Sequence, residues 1–277
     1  MLNKVNVALA QMMCKVGSKK SNLDIMKRNI EQAKKRNANL VIFPELSLTG
    51  YSNRDLTYEL AESVPGPSTR FLEEIAKKEE LYVVFGMPEH SEKARAVLFN
   101  TAVLLGPNGL IGKYRKMHLP THSVFEEKRY FRLGYKAPIF ETEIGKIGLT
   151  ICYDLFFPEM SRLLRMQGSQ LIICISASPG VRSRFFEVFT VARAIENTVF
   201  LIYVNLVGVE NGLQFWGGSR IIDPRGNLLT KAKYDEEDLV VGHIDYSDLE
   251  HTETFVPTLR DLRPELFASL RDHAETL

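Results

Sequence analysis

The chain has 277 residues, 45% hydrophobic and 25% charged, with a formal net charge of +1, which suits a globular protein with one large core or two smaller ones. The near balance of charge gives no broad attraction to nucleic acid or a membrane surface, and the apolar runs are strand-length, too short to span a bilayer. Three widely spaced cysteines, with no C-x-x-C or His-x-x-x-His pattern, argue against a disulfide framework and a structural zinc and suit a reducing, cytoplasmic setting.

In chain order, the opening MLNKVNVALAQ alternates like a strand and lacks the layout of a signal peptide. From Ser21, the residues Leu23, Met26, Ile30 and Ala33 recur at helical spacing, and Ser21 followed by Asp24 reads as a capping-box start. LVIF, LYVVFG and AVLFNTAVLL follow as strands, with a helix over 68–79 between the first two. KIGLTIC, LIICIS, TVFLIYVNLVG, SRIID and LVVGHID continue the series, several apolar at nearly every position, as strands buried on both faces are. Helices are expected over 157–167 and 183–197, the latter burying Phe185, Val188, Phe189, Ala192 and Ile195. GPNG at 106–109 and DPRG at 223–226 each join two strand-like runs and predict hairpins. Alternation of strand and helix alone would suggest a doubly wound parallel sheet, but the hairpins favour mixed sheets in a single α/β domain.

Reactive residues emerge where strands end. Glu45 follows the apolar run and proline of VIFPELSLTGY, and the apolar residues after it disfavour free solvation. A desolvated carboxylate there can accept a proton near neutral pH, whereas a surface acid would be the ordinary fate of a loop glutamate. Lys116 lies in GKYRKMHLP, where alternation places it on the face of Tyr114, with Lys113 and Arg115 on the other. His118 continues that inner face in a supporting role. Cys152 stands between the strand KIGLTI and a helix whose first turn contains Pro158 and Glu159. That position suits a nucleophile on a sharp turn, and the alternative is a packed core thiol. Cys174, within LIICIS, and Cys14 read as structural.

In this order and with these neighbours, the segments resemble the nitrilase superfamily of carbon–nitrogen hydrolases. FPEL and TGY match that family's glutamate motif, YRKMHL its lysine motif and CYDLFFPE its cysteine motif, and the resemblance runs to about residue 265. It implies a four-layer α-β-β-α sandwich with two mixed sheets, one domain over 1–277. It also implies that Glu45 is the general base, Lys116 the transition-state stabiliser and Cys152 the nucleophile of a thioester mechanism, with Lys116 favouring the thiolate. FEEKRYF resembles the segment that holds a second active-site glutamate, assigning Glu127, with Glu126 as the fallback. Tyr51, Tyr153, Phe156, Ser176, Ala177, Ser178 and Phe215 are expected at the pocket wall. Many members have a polar or basic residue where this chain has Phe156, which weighs against a dicarboxylate monoamide, and the FEEKRYF segment is closer to that of carbamoyl-amide hydrolases. No metal or organic cofactor is implied. The implied substrate is a small amide or N-carbamoyl amide, with nitrile hydrolysis, a glutaminase subunit of a separate synthetase, or an inactive binding homologue as alternatives. Arg193, Glu196 and Asn197 read as a structural polar network. The stretch from about 245 to 277 resembles a C-terminal arm at a homodimer interface, the alternative being a helix docked on its own subunit.

Overall fold

The computed structural model describes residues 2–276. Its strands are β1 (Lys4–Gln11), β2 (Leu40–Ile42), β3 (Tyr82–His90), β4 (Leu98–Gly106), β5 (Gly109–Arg115), β6 (Ile139–Thr142), β7 (Gly145–Ile151), β8 (Leu171–Ser176), β9 (Phe200–Asn205), β10 (Val207–Glu210), β11 (Leu213–Trp216), β12 (Arg220–Ile222), β13 (Leu228–Lys231) and β14 (Asp238–Asp245). The helices are α1 (Lys19–Lys35), α2 (Thr57–Leu60), α3 (Pro67–Glu79), α4 (Glu127–Tyr130), α5 (Pro158–Met166), α6 (Ser183–Asn197), α7 (Ser247–Phe255) and α8 (Pro264–Ala274).

Two six-stranded sheets have the orders β14-β1-β2-β3-β4-β5 and β13-β12-β9-β8-β7-β6, with a separate β10-β11 hairpin. In each large sheet a parallel trio, β1-β2-β3 or β7-β8-β9, is flanked by antiparallel strands. The hairpins expected at GPNG and DPRG are the β4-β5 and β12-β13 pairs. Side-chain alternation divides the core. Val5, Val7 and Leu9 of β1 face the second sheet with Ile147, Leu149 and Ile151, whereas Ala8 and Ala10 face Met26 and Ile30 of α1 and Leu72 of α3. With α5 and α6 outside the second sheet, the result is the α-β-β-α sandwich.

Two local expectations are corrected. α1 begins at Lys19, and Ser18 at its N-cap position makes no side-chain capping bond. The start is fixed instead by buried Asn22, which accepts from the Lys15 N–H and donates to the carbonyls of Lys15 and Leu48. α6 is rolled about its axis relative to its apolar stripe. It buries Phe186, Thr190, Arg193, Ala194 and Asn197, and leaves Phe185, Val188 and Ile195 exposed. Arg193 turns inward because it finds acceptors there: its guanidinium donates to the carbonyls of Leu155 and Phe156, just beyond Cys152. The polar network of the RAIEN segment thus supports the turn that holds the sulfur.

Candidate active site

The carboxyl ends of β2, β5 and β7 bring Glu45, Lys116 and Cys152 to one place between the sheets. Glu45 follows β2 by way of Phe43 and Pro44, and its loop lies directly on β3. That approach requires Gly86, where a Cβ would stand 2.3 Å from the Leu46 nitrogen and 2.8 Å from the Glu45 Cα. Lys116 is anchored through its own N–H to the Asn100 carbonyl on β4. The alternation expected around it holds: Tyr114 and Lys116 are buried, and Lys113 and Arg115 turn outward to pair with Glu89. Cys152 has φ of +46°, in the left-handed region that a side-chain-bearing residue seldom adopts, so the nucleophile candidate sits on a strained strand-to-helix turn.

Lys116 Nζ donates to Glu45 Oε1 at 2.7 Å and to Glu127 Oε1 at 2.8 Å. Glu45 is fully buried and also accepts from Asn100 Nδ2 and, at its second oxygen, from the Ala177 N–H, both at 2.7 Å. Glu127 accepts from the Tyr51 hydroxyl at 2.9 Å, and its other oxygen is buried without a partner among the described residues. Glu126 stays exposed on the rim of the neighbouring cavity, so of the two acids Glu127 is the one that enters the cluster.

Two carboxylates share one ammonium here, and the electrostatics follow from that count. Burial alone would lower the pKa of Lys116, but Glu127 and Glu45 outweigh it and raise the pKa, keeping the ammonium charged. Burial, opposed by Lys116 and reinforced by Glu45, pushes the Glu127 carboxyl up to about 7. The Cys152 thiol is pushed well up by burial and then by Glu45, and Lys116 does not offset them. Lys116 pulls the thiol pKa down, in the direction expected of it, but burial and Glu45 outweigh it, so the net shift is upward.

Asp154, two residues past Cys152, is fully buried. Its Oδ2 accepts from the Ile151 N–H at 3.0 Å and the Tyr114 hydroxyl at 2.7 Å, and its Oδ1 from the His118 N–H at 2.9 Å and His118 Nδ1 at 2.8 Å. It joins the lysine segment to the cysteine turn. His118 makes its supporting contribution in this way, stacked on Phe157 and outside the acid–lysine cluster.

Cys152 is 5% exposed and lines a narrow opening with Tyr153, Phe156, Ser178, His122, Phe125 and Arg182 among others. Tyr51 lines an adjoining cavity with Glu127. Ser176 and Ala177 are fully buried beneath the opening, and Ala177 meets the site through its backbone. Phe215, expected at the wall, is also fully buried and backs Tyr51 edge-on at 6.0 Å, because β11 packs it into the first sheet's core. Cys174 is sealed in the core, and Cys14 donates to the Ser47 carbonyl. Sequence reasoning passed over Asn100, Asp154, Phe125, His122 and Arg182. Asn100 had a signal, as an amide inside the apolar run AVLFNTAVLL, and Asp154 another, as an acid beside the nucleophile candidate.

Among the described residues no helix is long and apolar enough to cross a membrane. Residues 6–254 match the family model for carbon-nitrogen hydrolase. A probable nitrilase of Schizosaccharomyces pombe is 33% identical over 273 residues, covering 96% of this chain and 98% of the relative. A carbon-nitrogen hydrolase crystal structure from Helicobacter pylori superposes with a TM-score of 0.90 at 28% identity, covering 96% of this chain and 98% of that one. An amidase from Nesterenkonia sp., solved as a glutamate-to-glutamine mutant with the acetamide moiety of fluoroacetamide added covalently at its active-site cysteine, superposes with a TM-score of 0.84 at 27% identity, covering 96% of each chain. With the fold and most of its length matched in this way, the chain belongs to the carbon–nitrogen hydrolase family, as an enzyme of amidase type.

Proposed function

We propose that this protein hydrolyses the C–N bond of a small amide or N-carbamoyl amide through a thioester on Cys152. The observation that carries the reading is the fully buried Lys116 held between Glu45 and Glu127 beside the one cysteine that lines an opening. Glu45 accepts the thiol proton as the sulfur attacks the amide carbon, so proton transfer accompanies attack on a sulfur that begins protonated. Negative charge gathers on the substrate oxygen, where Lys116 and the Tyr153 N–H act as donors. Protonated Glu45 then delivers its proton to the departing nitrogen, the C–N bond breaks, and ammonia or an amine leaves. Glu45 next removes a proton from water, which attacks the thioester, and the acid product departs as the thiol is reprotonated. The unpartnered oxygen of Glu127 orients the substrate amide or the water.

The test is a panel of amides, carbamoyl amines and nitriles assayed for ammonia release, with mass spectrometry of quenched reactions. The expected result is turnover of amides and an acyl adduct on the Cys152 peptide, both absent in Cys152→Ala. Full activity in that variant, or turnover of nitriles alone, overturns the reading.

The partner beyond substrate is a second copy of the chain. Phe185, Val188 and Ile195 on α6, with Leu163 and Met166 on α5, form an exposed apolar face, and α8 buries none of its residues while exposing Leu266 and Leu270. α7 is docked on its own subunit through Leu249 and Thr252, so the arm proper is α8. Val188→Asp is expected to shift the sedimenting species from dimer to monomer; an unchanged mass would place the interface elsewhere. The three free cysteines fit a cytoplasmic location.

A further inference from the structure

Two buried hydroxyls beside Cys152 are without a hydrogen-bond partner among the described residues: Ser176 Oγ at the end of β8 and Tyr203 Oη on β9. Both residues are fully buried, and unpartnered hydroxyls are rare at that depth. The sheet brings both toward the sulfur. β7 and β8 run parallel with Ile151 opposite Ile175, so one residue further on the chain delivers Cys152 beside Ser176. Tyr203 pairs with Cys174, two residues before Ser176, and so projects from the same face of the sheet. Its ring packs on those of Phe186 and Trp216, with centroids 5.1 and 6.0 Å away, which leaves the phenol little freedom. The proximity shows in the acidities. Burial and then the charge of Cys152 push the Tyr203 phenol well up, and Ser176 pulls it back; Ser176 also pulls down on the Cys152 thiol that burial and Glu45 push up.

A protonated thiol is a weak acceptor and a thiolate a strong one, so these hydroxyls find a partner only when the sulfur carries charge. That happens twice on the thioester route, as the thiol proton leaves during attack and as the C–S bond breaks. Lys116 does not serve the sulfur at either point. Two of its three N–H bonds go to Glu45 and Glu127, and the third is the donor assigned above to the substrate oxygen. Resting on the amide-hydrolase reading above, we infer that the Ser176 hydroxyl is the hydrogen-bond donor to the Cys152 sulfur when it is anionic, and that the Tyr203 hydroxyl donates in turn to Ser176 Oγ. No proton changes hands along this chain. Once water has added to the thioester, the C–S bond breaks with its electron pair on sulfur, Ser176 stabilises that charge, and Glu45 returns its proton to the sulfur. Ser176 thus serves the nucleophile rather than the wall of the substrate pocket, from which its burial excludes it. Tyr203 is a positioning residue that acts through Ser176.

The sulfur itself reports the contact. Alkylation of Cys152 by iodoacetamide is followed across pH by peptide mass spectrometry, which separates it from Cys14 and Cys174. Loss of one hydrogen bond to a charged group lowers the thiolate population by about tenfold to a hundredfold, and the greater nucleophilicity of a more basic sulfur returns roughly half of that on a logarithmic scale. Ser176→Ala is therefore expected to alkylate about threefold to tenfold more slowly near neutral pH, with its pH profile moved upward. Tyr203→Phe, which keeps the ring packing, is expected to move the profile the same way by less. With an amide substrate, kcat/KM of Ser176→Ala should fall by about tenfold. An unchanged alkylation profile in Ser176→Ala overturns the assignment whatever the amide turnover, and an unchanged one in Tyr203→Phe removes the tyrosine from it. A shifted profile in a protein that hydrolyses no amide would sustain the donor and sink the hydrolase reading. Amide turnover that survives Ser176→Ala at the full rate would sink the donor's part in the reaction and leave that reading standing.

Discussion

At the floor of the cleft, Lys116 is fixed at 2.7 and 2.8 Å from two carboxylates, and those carboxylates are held in turn by Asn100, Ala177 and Tyr51. At the rim, His122 meets Phe125 and Tyr153, and Tyr153 meets Phe156, as rings in tilted or edge-on contact, and no described carboxylate forms an ion pair with Arg182. The floor is specified by directional bonds in a medium of low dielectric, where a lost partner is costly, while the rim is specified by shape and is forgiving. The floor therefore suits a reaction step that must not vary, and the rim suits substrate choice.

The largest effect should come from Glu45, the proton carrier proposed above. Glu45→Gln keeps the shape and removes the base, and kcat is expected to fall by about a thousandfold in steady-state assays with the rim unchanged. A loss of less than tenfold would show that another group accepts the thiol proton.

The second prediction concerns stability. The carboxyl of Glu127 has a folded-state pKa of about 7, above its ordinary 4.5. Its contribution to stability is thus fully present below pH 4.5 and lost as the pH rises through 7, by roughly 3 kcal/mol. Urea denaturation should record that decline in the wild type, and Glu127→Gln, which keeps the neutral form, should not share it. Parallel curves for the two proteins would contradict the burial-driven shift.

Asp154→Asn tests whether the floor extends beyond the groups that meet substrate. One amide N–H₂ must then face the Ile151 or His118 N–H, costing about 1–3 kcal/mol, or roughly tenfold to a hundredfold. The loss should appear in kcat with KM nearly unchanged, because the distance from Lys116 to the sulfur changes while the rim does not. Gly86→Ala acts one step further out, through the overlap with the Leu46 backbone that shifts Glu45, and about a tenfold fall in kcat is expected. The smallest effect belongs to the rim: Phe125→Leu should raise KM a few fold and leave kcat within about twofold, the signature of uniform binding. A kcat loss there equal to that of Asp154→Asn would erase the distinction between floor and rim.

How much of this was legible in advance varies residue by residue. Glu45, Lys116 and Cys152 could be singled out because their segments occur together, in order and with neighbours that match the family's motifs, whereas a cysteine at a strand end is common by itself; period-two alternation assigned Lys116 to the buried face. Asn100 was visible as a polar interruption, but its partner is 55 positions away in the chain. α6 misled because it carries two stripes, one apolar and one with Thr190, Arg193 and Asn197. Which stripe turns inward depends on the carbonyls of Leu155 and Phe156, which belong to another segment.

The sequence by itself determined most of the strands, the two hairpins and the family motifs, and marked three candidate reactive residues, since all of these rest on local periodicity, turn chemistry and short runs of neighbours. Only the tertiary structure decided the upward shift of the Cys152 thiol, the choice of Glu127 over Glu126, the clasp made by Asp154 and the position of Arg182 at the opening. Each of those depends on charges and hydrogen-bond partners that are distant along the chain and meet only when the two sheets close on each other.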